Sequence, residues 1–169
     1  MRNTFDRFNG RHQDYQAARP SYAQEFLDWL GELYAPPERY TAADIGSGTG
    51  KLSAQLLAAG FRVCGVEPNP DMRGAAEALL GGDPRFSSSN GTDHDTGLPD
   101  RSVDMVAAAQ AFHWFDGPAF ARECRRILRP GGRAVLVWNV RGSAPVNQAL
   151  AQVFREHCPS FHGFTGGMG

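Results

Sequence analysis

The segment Asp44-Ile45-Gly46-Ser47-Gly48-Thr49-Gly50 constrains this chain more than any other stretch. A short β-prone run, Tyr40–Ile45, leads into it, and a Leu- and Ala-rich run, Lys51–Ala59, leads out to Gly60. Glycines between a strand and a helix allow positive φ angles and let a ligand approach the backbone closely. One reading is a tight strand-to-helix turn; the other is a ligand cradle at the start of a helix. Both make the segment the first unit of a parallel α/β sheet.

The rest of the chain repeats that alternation. A helix is expected over Ser21–Tyr34, where Phe26, Leu27, Leu30 and Leu33 share a face after Pro20, and Pro36-Pro37 stops it. Phe61–Val66 reads as a second strand, and Asn69-Pro70-Asp71 opens a helix running to about Leu80 before Gly81-Gly82. Arg85–Ser88 is the third strand candidate and Asn90–Ser102 a turn-rich connection. Val103–Gln110 reads as a buried strand, although its alanines suit a helix equally. Asp116 caps a helix over Pro118–Leu128, ended by Arg129-Pro130-Gly131-Gly132. Ala134–Val140 reads as the clearest strand, continuous and β-branched as fully buried parallel strands are, and Val146–Glu156 is a last amphipathic helix. Short connections with right-handed crossovers imply a doubly wound sheet, whose ligands sit at the carboxyl ends of the strands.

Composition removes several alternatives. Seventeen basic residues against eighteen acidic ones leave a net charge of -1, so the basic footprint of a phosphate-gripping nucleic-acid binder is missing. At 169 residues the chain is expected to form one domain with its own core. No apolar run approaches the roughly 20 residues of a membrane span, and Met1–Asp6 lacks the apolar stretch of a signal peptide. Cys64, Cys124 and Cys158 are widely separated and form no C-x-x-C pair, which fits reduced thiols in a cytoplasmic protein. Asp93-His94-Asp95 has metal-like composition, but three adjacent residues do not converge readily on one ion; His157, Cys158 and His162 carry no stronger signal. No metal is expected.

Two acids refine the glycine segment. A dinucleotide fingerprint wants G-x-G-x-x-G, and Lys51 stands where its third glycine belongs. Asp44 also places a carboxylate where a pyrophosphate would meet the helix terminus, which opposes a nicotinamide-dependent oxidoreductase. A phosphate-binding P-loop fails too, because no Ser or Thr follows Lys51. A cationic or zwitterionic ligand is better tolerated. Glu67 ends the second strand 21 residues after Gly46, a spacing suited to accepting hydrogen bonds from ribose hydroxyls.

Asp44–Gly50 resembles motif I of class I S-adenosylmethionine-dependent methyltransferases, and Val66-Glu67-Pro68-Asn69 resembles their acidic ribose clamp. Gly91-Thr92-Asp93-His94 through Leu98-Pro99-Asp100 is similar to the adenine-contacting loop, and Leu128-Arg129-Pro130-Gly131-Gly132 to the motif before strand five. Gln110-Ala111-Phe112-His113-Trp114-Phe115 resembles the segment after strand four in the small-molecule branch that includes trans-aconitate-type methyltransferases. The resemblance covers roughly residues 5–142.

It implies a Rossmann-like α/β fold with strand order 3-2-1-4-5, and an enzyme that binds S-adenosyl-L-methionine and methylates a small molecule, a carboxylic acid being one candidate. The implied cofactor residues are Arg19, Asp44, Gly46, Ser47, Gly48, Glu67, Pro68, Thr92, Asp93 and Gln110. His113 is the candidate proton-transfer group, and His113 with Trp114 would face the acceptor. Residues 1–35, with Phe5, Phe8, Tyr15 and Tyr22, would form a lid, residues 36–142 the cofactor core, and residues 143–169 a helix and tail. Strands six and seven of the family are not expected in this length. Strand five would then stand at an open edge available for self-association, and a cofactor-binding fragment without turnover is the alternative function.

Overall fold

The structure, a computed structural model, describes residues 21–139. Arg19, most of the expected lid, Val140, and the expected helix and tail after it lie outside these residues, as do His157, Cys158 and His162. Residues 21–137 belong to one compact unit. Five parallel strands form its sheet: β1 (Thr41–Ile45), β2 (Arg62–Val66), β3 (Phe86–Ser89), β4 (Val103–Ala109) and β5 (Leu128–Val137). Their spatial order is β3-β2-β1-β4-β5, as expected, with the order reversing beside β1. Four α-helices are described: α1 (Gln24–Leu33), α2 (Lys51–Ala58), α3 (Pro70–Leu80) and α4 (Gly117–Ile127).

The sheet divides the apolar side chains between two clusters. Along β1, Ala42 faces one cluster while Ala43 and Ile45 face the other. Along β4, Met105, Ala107 and Ala109 face the first, and Val106 and Ala108 the second. This is the period-two alternation of a pleated strand buried on both sides. Leu30 of α1 and Leu52, Leu56 and Leu57 of α2 fill the first cluster with Phe61 and Tyr34. Phe120, Cys124 and Ile127 of α4 fill the second. The alanines of β4 therefore mark a central strand with helices packed closely on each face.

Helix ends follow local chemistry. The Asn69 side chain accepts from the Met72 amide and caps α3, with Pro70 in the first turn. Asp116 accepts from the Ala119 amide and caps α4 in the same way. Expected boundaries shift by one to three residues at several ends, the range over which helix and strand termini fray. α1 starts at Gln24 rather than Ser21, for instance.

The larger correction concerns β5. The chain leaves α4 at Ile127 and enters the strand at once, Leu128 pairing with Val103. The register then shifts between Val103 and Met105, and Arg133 to Val137 pair with Met105 to Ala109. Arg129-Pro130-Gly131-Gly132 is thus an irregularity inside β5, not a separate loop before it. Asp104 fills the opposing position: Oδ2 accepts from Arg129 Nη1 at 2.6 Å and from the Thr41 amide at 2.8 Å. Gly131 lies at φ 84°, and a Cβ on Gly132 would come 2.9 Å from the Asp104 carbonyl oxygen. Nor is β5 fully buried: it is the last strand on its side among the described residues, and Leu136 is exposed.

Leu56 is completely buried between α2 and the sheet. Leu56→Ala is expected to lower stability by about 2–5 kcal/mol, seen as a fall in the urea midpoint with an unchanged slope.

Candidate functional site

The glycine segment leaves β1 at the end where the strand order reverses. Gly46, Gly48 and Gly50 all have positive φ, at 70°, 57° and 81°. The Gly46 and Ser47 amides both donate to the Val66 carbonyl oxygen, at 2.9 and 3.2 Å, which folds the loop over the end of β2. A Cβ on Gly46 would lie 2.8 Å from the Ala111 Cβ and 3.3 Å from Phe115, so this glycine lets the loop rest on the segment after β4. Gly48 is different. Among the described residues, a Cβ there would meet only the Met72 sulfur, at 3.8 Å, an ordinary van der Waals distance, so no described residue crowds its backbone.

Asp44 lies beneath the loop and is 1% exposed. Its Oδ2 accepts from Ser53 Oγ at 2.7 Å, and the Ser53 amide also donates to the carboxylate. Helix α2 has Gly50 at its N-cap and no capping side chain of its own. Asp44 supplies the missing acceptor from the neighbouring strand, with its charge on the favourable end of the helix dipole. Burial nevertheless dominates: it raises the Asp44 pKa from 3.8 to about 6 against the two Ser53 hydrogen bonds, and the nearby Glu67 charge raises it further.

Glu67 is fixed on both oxygens. Oε2 accepts from the Gly48 amide and Oε1 from the Asn69 amide, each at 2.9 Å. Burial raises its pKa, while these two amides and Arg73 act in the opposite direction. Arg73 Nη1 donates to the Glu67 carbonyl oxygen at 2.8 Å and to Asn90 Oδ1 at 3.0 Å, tying the turn at Pro68 to the segment after β3. A carboxylate oxygen has two lone pairs, so each Glu67 oxygen keeps acceptor capacity beyond its backbone partner.

A profile described as a methyltransferase domain matches residues 43–136, more than half of the chain. The chain belongs to the methyltransferase-domain family. It is 42% identical over 127 residues to Rv3342, an uncharacterized methyltransferase of Mycobacterium tuberculosis, a match covering 75% of this chain and 49% of that protein. An uncharacterized methyltransferase of Schizosaccharomyces pombe is 32% identical over 145 residues, 85% of this chain and 57% of the relative. This chain thus spans about half the length of the curated relatives it matches. Among solved structures, a proposed type II methyltransferase from Anaeromyxobacter dehalogenans aligns with a TM-score of 0.64 at 36% identity, covering 82% of this chain and 56% of that one. A SAM-dependent methyltransferase from Aquifex aeolicus, at 19% identity and a TM-score of 0.59 over 77% of each chain, shares the fold.

Within this methyltransferase domain, the remaining candidates fall at two places. Gln110 ends β4 with φ 55°, a left-handed angle uncommon outside glycine, and its amide donates to the Val137 carbonyl oxygen at 2.8 Å. Phe112–Trp114 then form a 3-10 turn in the segment after β4, where the sequence places no helical element. His113 and Trp114 are exposed on that turn, with ring centroids 4.9 Å apart. Phe115 turns inward instead, its ring centroid 5.1 Å from Phe120 and 6.1 Å from Phe112. Asp44, Gly46–Gly48, Glu67, Pro68 and Gln110 therefore share the carboxyl end of the sheet. Thr92 and Asp93 follow β3, where the Asp93 side chain accepts from the Asp116 amide at 3.0 Å and pairs with His94.

Two participants were missed by sequence reasoning. Ser53 holds Asp44 from nine positions away, and Met72 borders the space beside Gly48. Neither has a local signal: a serine or methionine in an otherwise ordinary helix acquires its place only when that helix packs. Among the described residues, no helix is long and apolar enough to cross a membrane.

Because folded Asp44 holds its proton more tightly than the unfolded chain does, its ionised form costs stability. That cost is absent below pH 3.8, grows as pH rises to about 6, and stays constant above it. The stability of Asp44→Asn relative to the unsubstituted protein is expected to rise across this window by on the order of 2 kcal/mol. Urea unfolding from pH 3.5 to 7.5 measures it, and a flat difference would contradict the assignment.

Proposed function

We propose that this chain forms the cofactor-binding part of an S-adenosyl-L-methionine-dependent methyltransferase acting on a small-molecule acceptor. The observation that carries the reading is Glu67, fixed by the Gly48 and Asn69 amides at the topological reversal of the sheet, beside a glycine that no described residue crowds. A buried carboxylate so oriented suits a pair of vicinal hydroxyl donors, and fixing it beforehand removes an ordering cost from binding. Gly48 admits the ligand to the backbone. Asp44 is too deeply buried for a broad direct contact and acts through its field, which together with Glu67 makes this end of the sheet favourable for a cation.

S-Adenosyl-L-methionine supplies a methyl group on a sulfonium cation, ready for in-line displacement. The chain's task is to hold, align and shield. Gly46, Ser47, Gly48, Glu67, Pro68 and Gln110 would hold the amino-acid and ribose portions, with Asp44 favouring the cationic end through its charge, Thr92 and Asp93 toward the adenine and Arg19 toward the carboxylate. His113 and Trp114 would meet the acceptor from the turn after β4. A carboxylic acid acceptor is favoured because it is ionised at neutral pH and needs no base, which leaves His113 to orient it by hydrogen bonding.

Titration calorimetry with S-adenosylmethionine and S-adenosylhomocysteine tests the cofactor. Binding is expected, and Glu67→Ala should weaken it by about tenfold or more, as for loss of a charge-assisted hydrogen bond. Asp44→Ala should weaken it less. Unchanged affinity in both variants would refute the site. Transfer of a labelled methyl group to one member of an acceptor panel would establish turnover; binding without transfer to any would assign this chain the cofactor half alone.

A further inference from the structure

A third buried acid lies away from the glycine loop. Glu123 of α4 is 7% exposed, and its Oε1 accepts from the Thr96 amide at 2.9 Å and from Thr96 Oγ1 at 2.6 Å. Arg126 grips the same carboxylate, Nε on Oε2 at 2.8 Å and Nη2 on Oε1 at 2.7 Å, while its Nη1 reaches Asp100 at 2.7 Å. Thr96 is 1% exposed although it sits in an irregular segment. It organises that segment in turn: its Oγ1 accepts from the Leu98 amide at 3.2 Å and its carbonyl oxygen from Ser89 Oγ at 2.7 Å. Gly91 packs so closely on it that a Cβ there would lie 2.5 Å from the Thr96 carbonyl oxygen.

The connection from β3 to β4 is thus fastened to α4 at three points: Asp93 on the Asp116 amide, Thr96 on Glu123, and Asp100 on Arg126. An irregular loop without such ties loses about 1–2 kcal/mol of backbone entropy per residue when a ligand orders it. Here that ordering belongs to folding. The Glu123 carboxyl is held down at about 2, chiefly by Arg126, so it stays ionised throughout the neutral range.

We propose that Glu123, acting through Thr96, is a positioning residue that fixes the loop from Gly91 to Leu98 in the shape that recognises the adenine amino group. This rests on the cofactor reading above. Glu123→Gln turns an acceptor oxygen into an NH2 group facing donors on Arg126 or Thr96, and Thr96→Val removes one donor while nearly preserving shape.

The test compares S-adenosylhomocysteine with S-inosylhomocysteine, which carries an oxo group in place of the adenine amino group. Binding of both is measured by calorimetry in the unsubstituted protein, Glu123→Gln and Thr96→Val, alongside melting temperature and amide exchange at positions 96 and 98. The unsubstituted protein should prefer the adenosyl ligand by about tenfold or more, the discrimination a hydrogen-bonding site provides. In both variants the exchange should quicken and the preference should fall below about threefold. A preference that persists while the melting temperature falls would overturn the proposal, leaving Glu123 as a brace. Equal binding of both ligands by the unsubstituted protein would overturn it too, with the cofactor reading intact. Binding of neither would remove that reading and this inference together. If Glu123→Gln does not fold, Thr96→Val decides the comparison alone.

Discussion

Glu67 accepts one hydrogen bond from the glycine loop and one from the first residues of the following turn, and this pair of contacts orders the end of the sheet. The carboxylate is nearly buried, so leaving either oxygen unpartnered would cost more than a surface hydrogen bond returns. The Gly48 amide faces it only because the loop crosses the end of β2, where Val66 receives the Gly46 and Ser47 amides. That crossing depends in turn on Gly46 resting against Ala111 and Phe115. The glycines, the acid and the aromatic turn after β4 are therefore parts of a single packing solution.

Asp44 has two consequences that pull against each other. It completes the amino terminus of α2, which has no cap of its own, and it places a carboxylate where water cannot reach. The first favours the ion and the second the acid, and burial wins by enough to move the pKa to about 6. A charge held at such cost is a feature of sites more often than of scaffolds. Glu123 resolves the same problem differently, through a guanidinium that grips both oxygens and keeps it ionised.

Much of this was legible in the sequence. The alternation of apolar strands with capped helices gave the parallel α/β class, because Asn69, Asp116 and the glycine segment are local signals with local physical causes; the strand order came from the resemblance to a methyltransferase family. The acids at 44 and 67 stood out by their spacing to the glycines. Features set by distant partners were not legible. β5 begins at Leu128 because that residue pairs with Val103, and Asp104 stabilises the irregularity that follows; no pattern within Arg129–Gly132 distinguishes this from a loop. The turn at Phe112–Trp114 follows from the left-handed Gln110, and an apolar run of alanines ending in Gln gives no warning of it. Ser53 with Asp44, and Thr96 with Glu123, are pairs made by the fold.

The central claim is that Glu67, held by loop amides, is the acceptor for a ribose. A crystal structure of the chain with S-adenosylhomocysteine tests it most directly. The account predicts both ribose hydroxyls within hydrogen-bond distance of the Glu67 carboxylate, with its bond from the Gly48 amide retained. Ligand density elsewhere on the chain, or at this end of the sheet without a contact to Glu67, would contradict it.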